Sequence, residues 1–315
     1  MTTHKETKIL IRYQLSKELT MIATFFVCLL LNFLALYNYY ILMLIMVSVL
    51  CDLSTLSLVL GTVYAITIVT GLLNDSSKAK FIIRSPVTYT ALTHLKIRGS
   101  NSLQFLNRGS KGTIYACHPH GILPCSTFFF LSNKIPTVVD KMILSTFLGL
   151  YLFKYIGYID NARKTIIDNV AQHGSVALYP GGADEMCFTK GDSKDITIYI
   201  REGFMRLAIE HEYRIVPTLA PFEEESYIPL FTEYSSFKHM LWTKYKLSIA
   251  PHIGSYGMIG MPRQTNNPIV YYCNEILCEK HNTVEEISAK FKQSLSTKCD
   301  ELGIKCTFIH NKKLA

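Results

Sequence analysis

Two clusters of histidine, glycine and acidic residues are the strongest candidates for chemistry in this sequence. The first is the tetrapeptide His118-Pro119-His120-Gly121, which follows a β-rich run at 113–117. Histidine suits general-base catalysis because its ordinary pKa lies close to neutral pH. Pro119 fixes its own φ and Gly121 frees the backbone that follows, so two imidazoles are expected on a stiff turn. A purely structural pair of histidines is the alternative interpretation of this tetrapeptide alone.

The second cluster is the turn Pro180-Gly181-Gly182, which ends a buried strand predicted over 174–179. A strand that ends in Pro-Gly-Gly leaves backbone N–H groups uncovered, and such groups bind an oxyanion or a phosphate. Asp184 and Glu185 follow directly, and either carboxylate could orient a histidine. An isolated Pro-Gly-Gly is more often an ordinary turn, and that alternative stays open.

A third candidate is a basic helix face that begins near Arg201. Arg201 and Arg206 could reach a phosphorylated ligand, and an acidic run at 223–225 lies downstream. A solvated helix face that carries salt bridges is the alternative interpretation of the same residues.

The elements that must position these motifs alternate between strands and helices. Strands are predicted at 113–117, 174–179, 214–219 and 268–272. Helices are predicted at 122–131, 141–155, 164–173, 198–213 and 283–302. Thr283 and Glu286 stand in capping-box register at the start of the last helix. This alternation predicts an α/β domain with a partly parallel sheet, and ligands bind such sheets at the carboxyl ends of the strands.

The chain has 315 residues, of which 49% are hydrophobic and 18% are charged, and its mean hydropathy is +0.20. This composition excludes a disordered chain, a collagen and a coiled coil. Residues 21–73 contain no Lys, Arg, His or Glu, and Asp52 is their only Asp. The run is too long for one membrane crossing and short for three, so we predict a transmembrane hairpin that turns near Asp52 or at 38–40. A buried helical pair in a soluble core is the alternative.

Three segments follow from this distribution: a cytosolic tail at 1–20, a transmembrane hairpin at 21–73 and a cytosolic α/β domain at 74–315. Basic residues flank both ends of the hairpin, which predicts that both termini face the cytosol. The net charge of +8 favours anionic partners such as phosphate groups or a membrane surface. Nine cysteines without a CxxC pair or zinc-ligand spacing predict reduced thiols and no metal site.

Taken in order, the motifs resemble those of the diacylglycerol acyltransferase type 2 family, which includes monoacylglycerol and wax-alcohol acyltransferases. The matching blocks are His118-Pro119-His120-Gly121, Pro180-Gly181-Gly182-Ala183-x-Glu185, Arg201-x-Gly203-Phe204-x-x-Leu207-Ala208, Val216-Pro217, Tyr256-Gly257-Met258-Ile259-Gly260-Met261-Pro262, Asn267-Pro268-Ile269 and Thr283-x-Glu285-Glu286-Ile287. No single block is specific, whereas their combination over roughly 20–312 is. The chain departs from the family where Pro221-Phe222-Glu223 replaces a Phe-Gly-Glu block, which puts the acceptor preference in doubt.

The resemblance implies a glycerolipid-acyltransferase-like mixed sheet with flanking helices, attached to an N-terminal transmembrane hairpin. It also implies an enzyme of the endoplasmic reticulum membrane or the lipid droplet that moves a fatty acyl group from acyl-CoA to a neutral-lipid hydroxyl. The acceptor would be diacylglycerol, with monoacylglycerol and a fatty alcohol as alternatives. Acyl-CoA is a substrate, and neither a cofactor nor a nucleic acid is expected. Lys312-Lys313 near the end of the chain resembles a dilysine retrieval signal of the endoplasmic reticulum.

The resemblance further assigns roles to individual residues. His120 matches the second histidine of the family tetrapeptide and is expected to be the general base, with His118 as a positioning residue. Glu185 is expected to hold an imidazole or to contact the acceptor. The remaining residues are the turn and oxyanion group Pro119, Gly121, Pro180, Gly181 and Gly182; the CoA-phosphate group Arg163, Lys190 and Arg201; and Glu223 on the acceptor side.

Two other classes of protein compete with the acyltransferase hypothesis. A metal-dependent hydrolase would use His118, His120 and an acidic residue as ligands. A catalytically silent lipid-binding or membrane-scaffolding protein on the same fold would keep the motifs' positions without the reaction, and the altered block at 221–223 gives this alternative its weight.

Overall fold

A computed structural model describes residues 95–100, 112–144, 156–230, 252–255 and 262–310, together with Thr62. The predicted tail at 1–20 and, apart from Thr62, the predicted hairpin lie outside the described residues, as does most of the block at 256–262. None of the helices in the described part of the chain is long and apolar enough to cross a membrane.

Strands and helices alternate along the described chain. The strands are β1 (Arg98–Gly99), β2 (Thr113–His118), β3 (Thr137–Val139), β4 (Tyr158–Asp160), β5 (Ser175–Leu178), β6 (Asp195–Ile200), β7 (Arg214–Leu219), β8 (Ile228–Pro229), β9 (His252–Ile253), β10 (Ile269–Tyr272), β11 (Ile276–Leu277) and β12 (Lys305–His310). The α-helices are α1 (Thr127–Ser132), α2 (Lys141–Leu144), α3 (Arg163–His173), α4 (Gly182–Met186), α5 (Gly203–Glu210) and α6 (Val284–Leu302). A 3₁₀ helix at Pro221–Glu223 follows β7.

The main sheet has eight strands in the order β1-β10-β7-β2-β5-β3-β4, and β11 pairs with β7 beside β10. Strand β2 is parallel to both of its neighbours, β5 and β7. Strands β3 and β4 continue the parallel part, whereas β10 and β11 run antiparallel to β7. The predicted α/β domain with a partly parallel sheet is therefore confirmed for the described residues.

Strand β2 lies at the centre of the fold because all six of its residues are buried. Its side chains alternate between two core layers, as the two-residue period of a strand requires. Ile114 and Ala116 face a layer built by helices α3, α5 and α6. Tyr115 and Cys117 face a second layer that includes Phe130 of α1. A strand buried on both faces has the continuous apolar sequence that is typical of parallel sheets.

Helix α6 closes the first layer, and its sequence signals are confirmed. The Thr283 side chain accepts a hydrogen bond from the Glu286 backbone while the Glu286 side chain binds the Thr283 backbone, which completes the predicted capping box. Gly303 ends the helix in the left-handed conformation at φ 64°. Phe291 of this helix is fully buried and packs against the ring of His118.

Two helix predictions are wrong in part. Residues 198–200 belong to β6 and only Gly203–Glu210 forms the helix predicted over 198–213. Strand β6 pairs in parallel with β12, a C-terminal strand that was not predicted, and the isoleucines of β6 are buried in the core layer of α3, α5 and α6. The helix predicted at 122–131 begins only at Thr127, because the residues before it form a turn. Of the helix predicted at 141–155, the described part is Lys141–Leu144.

Two glutamates just after the 3₁₀ helix connect the segment that follows β7 to the loop before β6 through hydrogen bonds. Glu224 is buried, and its Oε2 accepts the backbone N–H of Lys190 at 2.8 Å. The Ser193 hydroxyl donates to the Glu225 carboxylate. Burial raises the pKa of Glu224 to about 8, and repulsion from the Glu185 carboxylate acts in the same direction.

This raised pKa predicts a pH dependence of stability. The ordinary pKa of Glu224 is 4.5, so the neutral carboxyl is favoured in the folded protein. Its stabilising contribution is complete below pH 4.5 and is lost as the pH rises through about 8. Glu224→Gln keeps an acceptor for the Lys190 N–H without a charge, and we expect a smaller fall in the free energy of unfolding between pH 5 and 8.5 (roughly the window that separates the two pKa values).

Chemical denaturation across this pH range measures the effect. The matched control is Glu225→Gln, which makes the same change at the neighbouring, less buried glutamate and should keep the wild-type slope. A Glu224→Gln variant with the wild-type slope would contradict the prediction.

Candidate active site

The two predicted motifs meet at the carboxyl edge of the sheet. His118 is the last residue of β2, the His118–Pro119 peptide is cis, and the chain turns at Gly121 with φ 60°. Pro180-Gly181-Gly182 comes just after β5, the parallel neighbour of β2. The rings of His120 and Tyr179 pack edge to face with their centroids 5.7 Å apart. The tetrapeptide and the Pro-Gly-Gly turn therefore share one site.

The His120 imidazole is half-buried and is held by its own loop. Its Nδ1 lies 3.0 Å from the Gly121 carbonyl oxygen. A carbonyl oxygen only accepts hydrogen bonds, so Nδ1 carries the proton and Nε2 keeps its lone pair. Burial lowers the pKa of His120 below its ordinary value of 6.5, although the Gly121 carbonyl and the Glu185 carboxylate oppose this shift. At neutral pH the ring is therefore a neutral imidazole with a basic Nε2.

His118 has a different environment, because it is fully buried against the Glu185 carboxylate. Its Nδ1 lies 2.9 Å from Oε1 and 3.1 Å from Oε2 of Glu185, which is also buried. The Nε2 atom of His118 is buried and has no hydrogen-bond partner among the described residues. The structure thus places Glu185 against the first histidine of the tetrapeptide, not against His120.

The two glycines of the Pro-Gly-Gly turn are required for different reasons. A Cβ on Gly181 would lie 1.9 Å from Oε2 of Glu185, so only a hydrogen fits where the carboxylate crosses the backbone. Gly182 has φ 52°, which favours glycine. Its N–H donates to the Tyr179 carbonyl at 3.1 Å, so this amide closes the turn. Pro180 is buried beside them.

Glu223 lies inside the protein rather than on an open acceptor surface. It is 1% exposed, its Oε2 accepts the Cys125 N–H at 2.8 Å, and its Oε1 accepts the Ser126 N–H at 2.5 Å. Burial raises the pKa of Glu223 to about 7, while the hydrogen bonds from Ser126 and Cys125 oppose the increase. Both carboxylate oxygens are occupied by the backbone just before α1.

The three basic residues predicted to bind CoA phosphates lie in different places. Arg201 borders the Pro-Gly-Gly turn, since its Nη1 would be 3.5 Å from a Cβ on Gly182. Its guanidinium pairs with Asp184. The Lys190 Nζ lies 3.0 Å from Asp195, and the exposed Arg163 pairs with Glu210 of α5. Of the three, Arg201 is the one that the described contacts bring to the site.

Tyr179 and Ser126 also belong to the site, although neither was predicted as a site residue. The Tyr179 hydroxyl and the Ser126 Oγ are 2.6 Å apart, and the same tyrosine supplies the ring beside His120. The available signal was the position of Tyr179, an aromatic residue directly before Pro180 at the end of a buried strand.

The ligand set of the metal-hydrolase hypothesis is not assembled in the described residues. His118 binds Glu185, whereas His120 contacts its own loop and Tyr179. No group of three or more His, Cys, Asp or Glu side chains that could hold a metal ion occurs in the part of the chain that the structure describes.

Comparison with known proteins identifies the region that carries this site. Residues 105–257 match the family model described as diacylglycerol acyltransferase. Diacylglycerol O-acyltransferase 2 of Bos taurus is 28% identical over 161 residues, which cover 46% of this chain and 45% of that protein. The Homo sapiens protein of the same name is 27% identical over 161 residues, covering 46% of this chain and 42% of its own length. Diacylglycerol O-acyltransferase 1 of Saccharomyces cerevisiae is 23% identical over 167 residues, which cover 48% of this chain and 40% of that protein.

The matches thus span less than half the length of these relatives, and no solved structure matches the chain. The matched region nevertheless contains the His120 loop, the Pro-Gly-Gly turn and Glu223. Residues 105–257 of the chain are therefore similar to the diacylglycerol acyltransferase family.

Proposed function

We propose that this chain is an acyl-CoA-dependent O-acyltransferase that esterifies a neutral-lipid hydroxyl, with diacylglycerol as the acceptor and triacylglycerol as the product. The observation that carries the proposal is the half-buried His120, whose Nε2 keeps a free lone pair within the region that matches the family. The names of the relatives support diacylglycerol as the acceptor. Monoacylglycerol and a fatty alcohol are the alternative acceptors, because the block at 221–223 departs from the family pattern.

In the proposed reaction, Nε2 of His120 accepts the proton of the acceptor hydroxyl as its oxygen attacks the thioester carbonyl carbon. The carbonyl oxygen becomes the oxyanion of a tetrahedral intermediate. Collapse of the intermediate breaks the carbon–sulfur bond, and the protonated imidazole returns its proton to the departing CoA thiolate. A neutral imidazole with a lowered pKa suits the first step, because it is unprotonated at working pH and becomes an acid once charged.

The backbone around the two turns supplies the other proposed roles. The oxyanion needs N–H donors, and the Gly121 and Gly181 amides are the proposed donors because both belong to turns beside His120. Arg201 is proposed to bind a CoA phosphate, since a guanidinium grips phosphate through two parallel hydrogen bonds. The His118–Glu185 pair is proposed to fix the end of β2 beneath His120.

We propose the endoplasmic reticulum membrane or a lipid droplet as the place of this reaction, with residues 1–20 and 74–315 facing the cytosol. The apolar run at 21–73, whose only charged residue is Asp52, would anchor the chain where a neutral lipid dissolves, and the net positive charge would attract a polyanionic acyl-CoA. The proposed chemistry needs no cofactor, and acyl-CoA takes part as a substrate. A silent lipid-binding protein on the same fold is the second candidate, and absence of ester formation would favour it.

Of the predictions for the reaction, the first concerns the base. His120→Ala should lower the rate of triacylglycerol formation by at least ~100-fold, because general-base catalysis contributes on the order of 10²–10⁴. The variant should unfold at the wild-type temperature, since the ring is half-buried and bonds to its own loop. Acyl transfer from acyl-CoA to diacylglycerol in detergent micelles measures the rate, and the exposed His281→Ala is the matched control.

This experiment also separates the two histidines. If His120→Ala keeps the wild-type rate while a folded Glu185→Gln variant loses it, the base is His118. His118→Ala itself is less informative, because it leaves the Glu185 carboxylate buried without its partner and should destabilise the fold by about 3–5 kcal/mol.

The second prediction concerns pH. Protonation of His120 removes the base, so kcat/KM should rise from the acid side with a midpoint below 6.5 and remain level at neutral pH. The profile is measured with the wild-type protein in buffers of constant ionic strength. A midpoint above 6.5 would contradict a base whose pKa is lowered by burial.

The third prediction concerns acyl-CoA. Arg201→Ala should raise the KM for acyl-CoA about 10- to 100-fold, since a charge-assisted hydrogen bond contributes about 1.5–3 kcal/mol, and should leave the KM for diacylglycerol unchanged. Arg163→Ala is the matched control, because this arginine pairs with Glu210 on an exposed face. Equal KM values for acyl-CoA in the two variants would contradict the assignment of Arg201.

A further inference from the structure

Glu223, Ser126 and Tyr179 form a connected set around the loop that carries His120, and the proposed reaction uses none of them. We propose that these three residues are a positioning unit that fixes the His120 imidazole and shields it from water, and that Glu223 does not contact the acceptor lipid. The inference rests on the proposed role of His120, and it replaces the acceptor-side role that the sequence suggested for Glu223.

Glu223 fixes the first end of the loop by direct packing. A Cβ on Gly121 would lie 2.7 Å from the Glu223 carbonyl oxygen and 3.0 Å from its Cβ. The Gly121 backbone therefore rests on Glu223. Because the Gly121 carbonyl binds Nδ1 of His120, the position of this backbone sets the orientation of the ring.

Glu223 fixes the second end of the loop through its carboxylate. Each oxygen accepts one backbone N–H, from Cys125 and Ser126 respectively. The side chain is buried on all sides, so neither oxygen is directed towards solvent. A glutamine has only one acceptor oxygen and would turn an N–H₂ group towards one of the two donors. A carboxylate, which has two acceptor oxygens, is thus the group that fits these two backbone N–H donors.

Ser126 links Glu223 to the Tyr179 ring, which packs against His120. Its backbone is held by Glu223, and its Oγ lies 2.6 Å from the Tyr179 hydroxyl. Tyr179 in turn presents its ring edge to face against His120. A hydrogen bond at the far end of a tyrosine stops the ring from swinging away, so the wall beside the imidazole stays closed to water. This shielding is consistent with the lowered pKa of His120.

Tyr179→Phe is the sharpest test, because it keeps the ring and removes only the hydroxyl that binds Ser126. We expect kcat to fall about 3- to 10-fold, the value of a single hydrogen bond of about 0.5–1.5 kcal/mol, with both KM values unchanged. Ser126→Ala should have the same effect. The double variant should be no slower than either single variant, since both remove one and the same bond. Multiplying effects would overturn the proposed coupling.

Glu223→Gln tests whether Glu223 positions the His120 loop or contacts the acceptor lipid. A positioning role predicts a lower kcat with an unchanged KM for diacylglycerol, whereas contact with the acceptor predicts a raised KM, which would overturn the inference. Thermal unfolding shows whether this buried variant folds. If it does not, the Tyr179→Phe and Ser126→Ala pair decides the question.

A third measurement does not depend on turnover. Tyr179→Ala opens the wall, and the pKa of His120, followed by NMR of the histidine-labelled full chain, should rise towards 6.5. His281 is the exposed internal reference. An unchanged His120 titration would overturn the shielding role. If the titration moves as expected but the wild-type chain forms no ester, the proposed function fails while the positioning unit stands.

Discussion

The parallel pairing of β2 with both β5 and β7 is the constraint on which the site depends. Ala116 pairs with Leu178 and His118 pairs with Leu219. Because the three strands run in one direction, their carboxyl ends lie at one edge, and the segments that follow them converge there. His118 and Glu185 are 67 residues apart in the chain, and Ser126 and Glu223 are 97 apart, yet both pairs are in hydrogen-bond contact. The register of the sheet brings these distant residues together.

Buried carboxylates hold the convergent segments in place. Glu185 binds the His118 imidazole, Glu223 binds two amides before α1, and Glu224 binds the amide of Lys190. An unpaired buried charge is costly, so each of these contacts is strongly favoured once the sheet has formed. The pKa values of Glu223 and Glu224 are raised because the hydrogen bonds offset only part of the free energy that it costs to bury each charged carboxylate. The acidic side chains thus act as internal ties between loops.

How far sequence reasoning reaches depends on whether a feature is local. The capping box at Thr283 and strand β5 are set by neighbouring residues, and both were predictable. Strand β6 was not predictable. Its residues were predicted as the start of a helix, and they form a strand because β12, near the far end of the described chain, pairs with them. Glu223 shows the same limit at the site. An acidic run normally indicates a solvated surface, and only the amides of residues 97 and 98 positions away make its burial possible.

The two histidines of the tetrapeptide show how environment separates residues that look equivalent in sequence. His118 continues the face of β2 that packs on α6, and there it meets Phe291 and a carboxylate. His120 lies two residues beyond, after a turn, against Tyr179 of the other core layer. Burial favours a neutral imidazole at His120, although the Gly121 carbonyl opposes this effect. Pairs of titratable groups whose surroundings differ in this way commonly take different roles. On this ground the buried His118 suits a fixed structural role, and the half-buried His120 suits a proton that must be gained and lost.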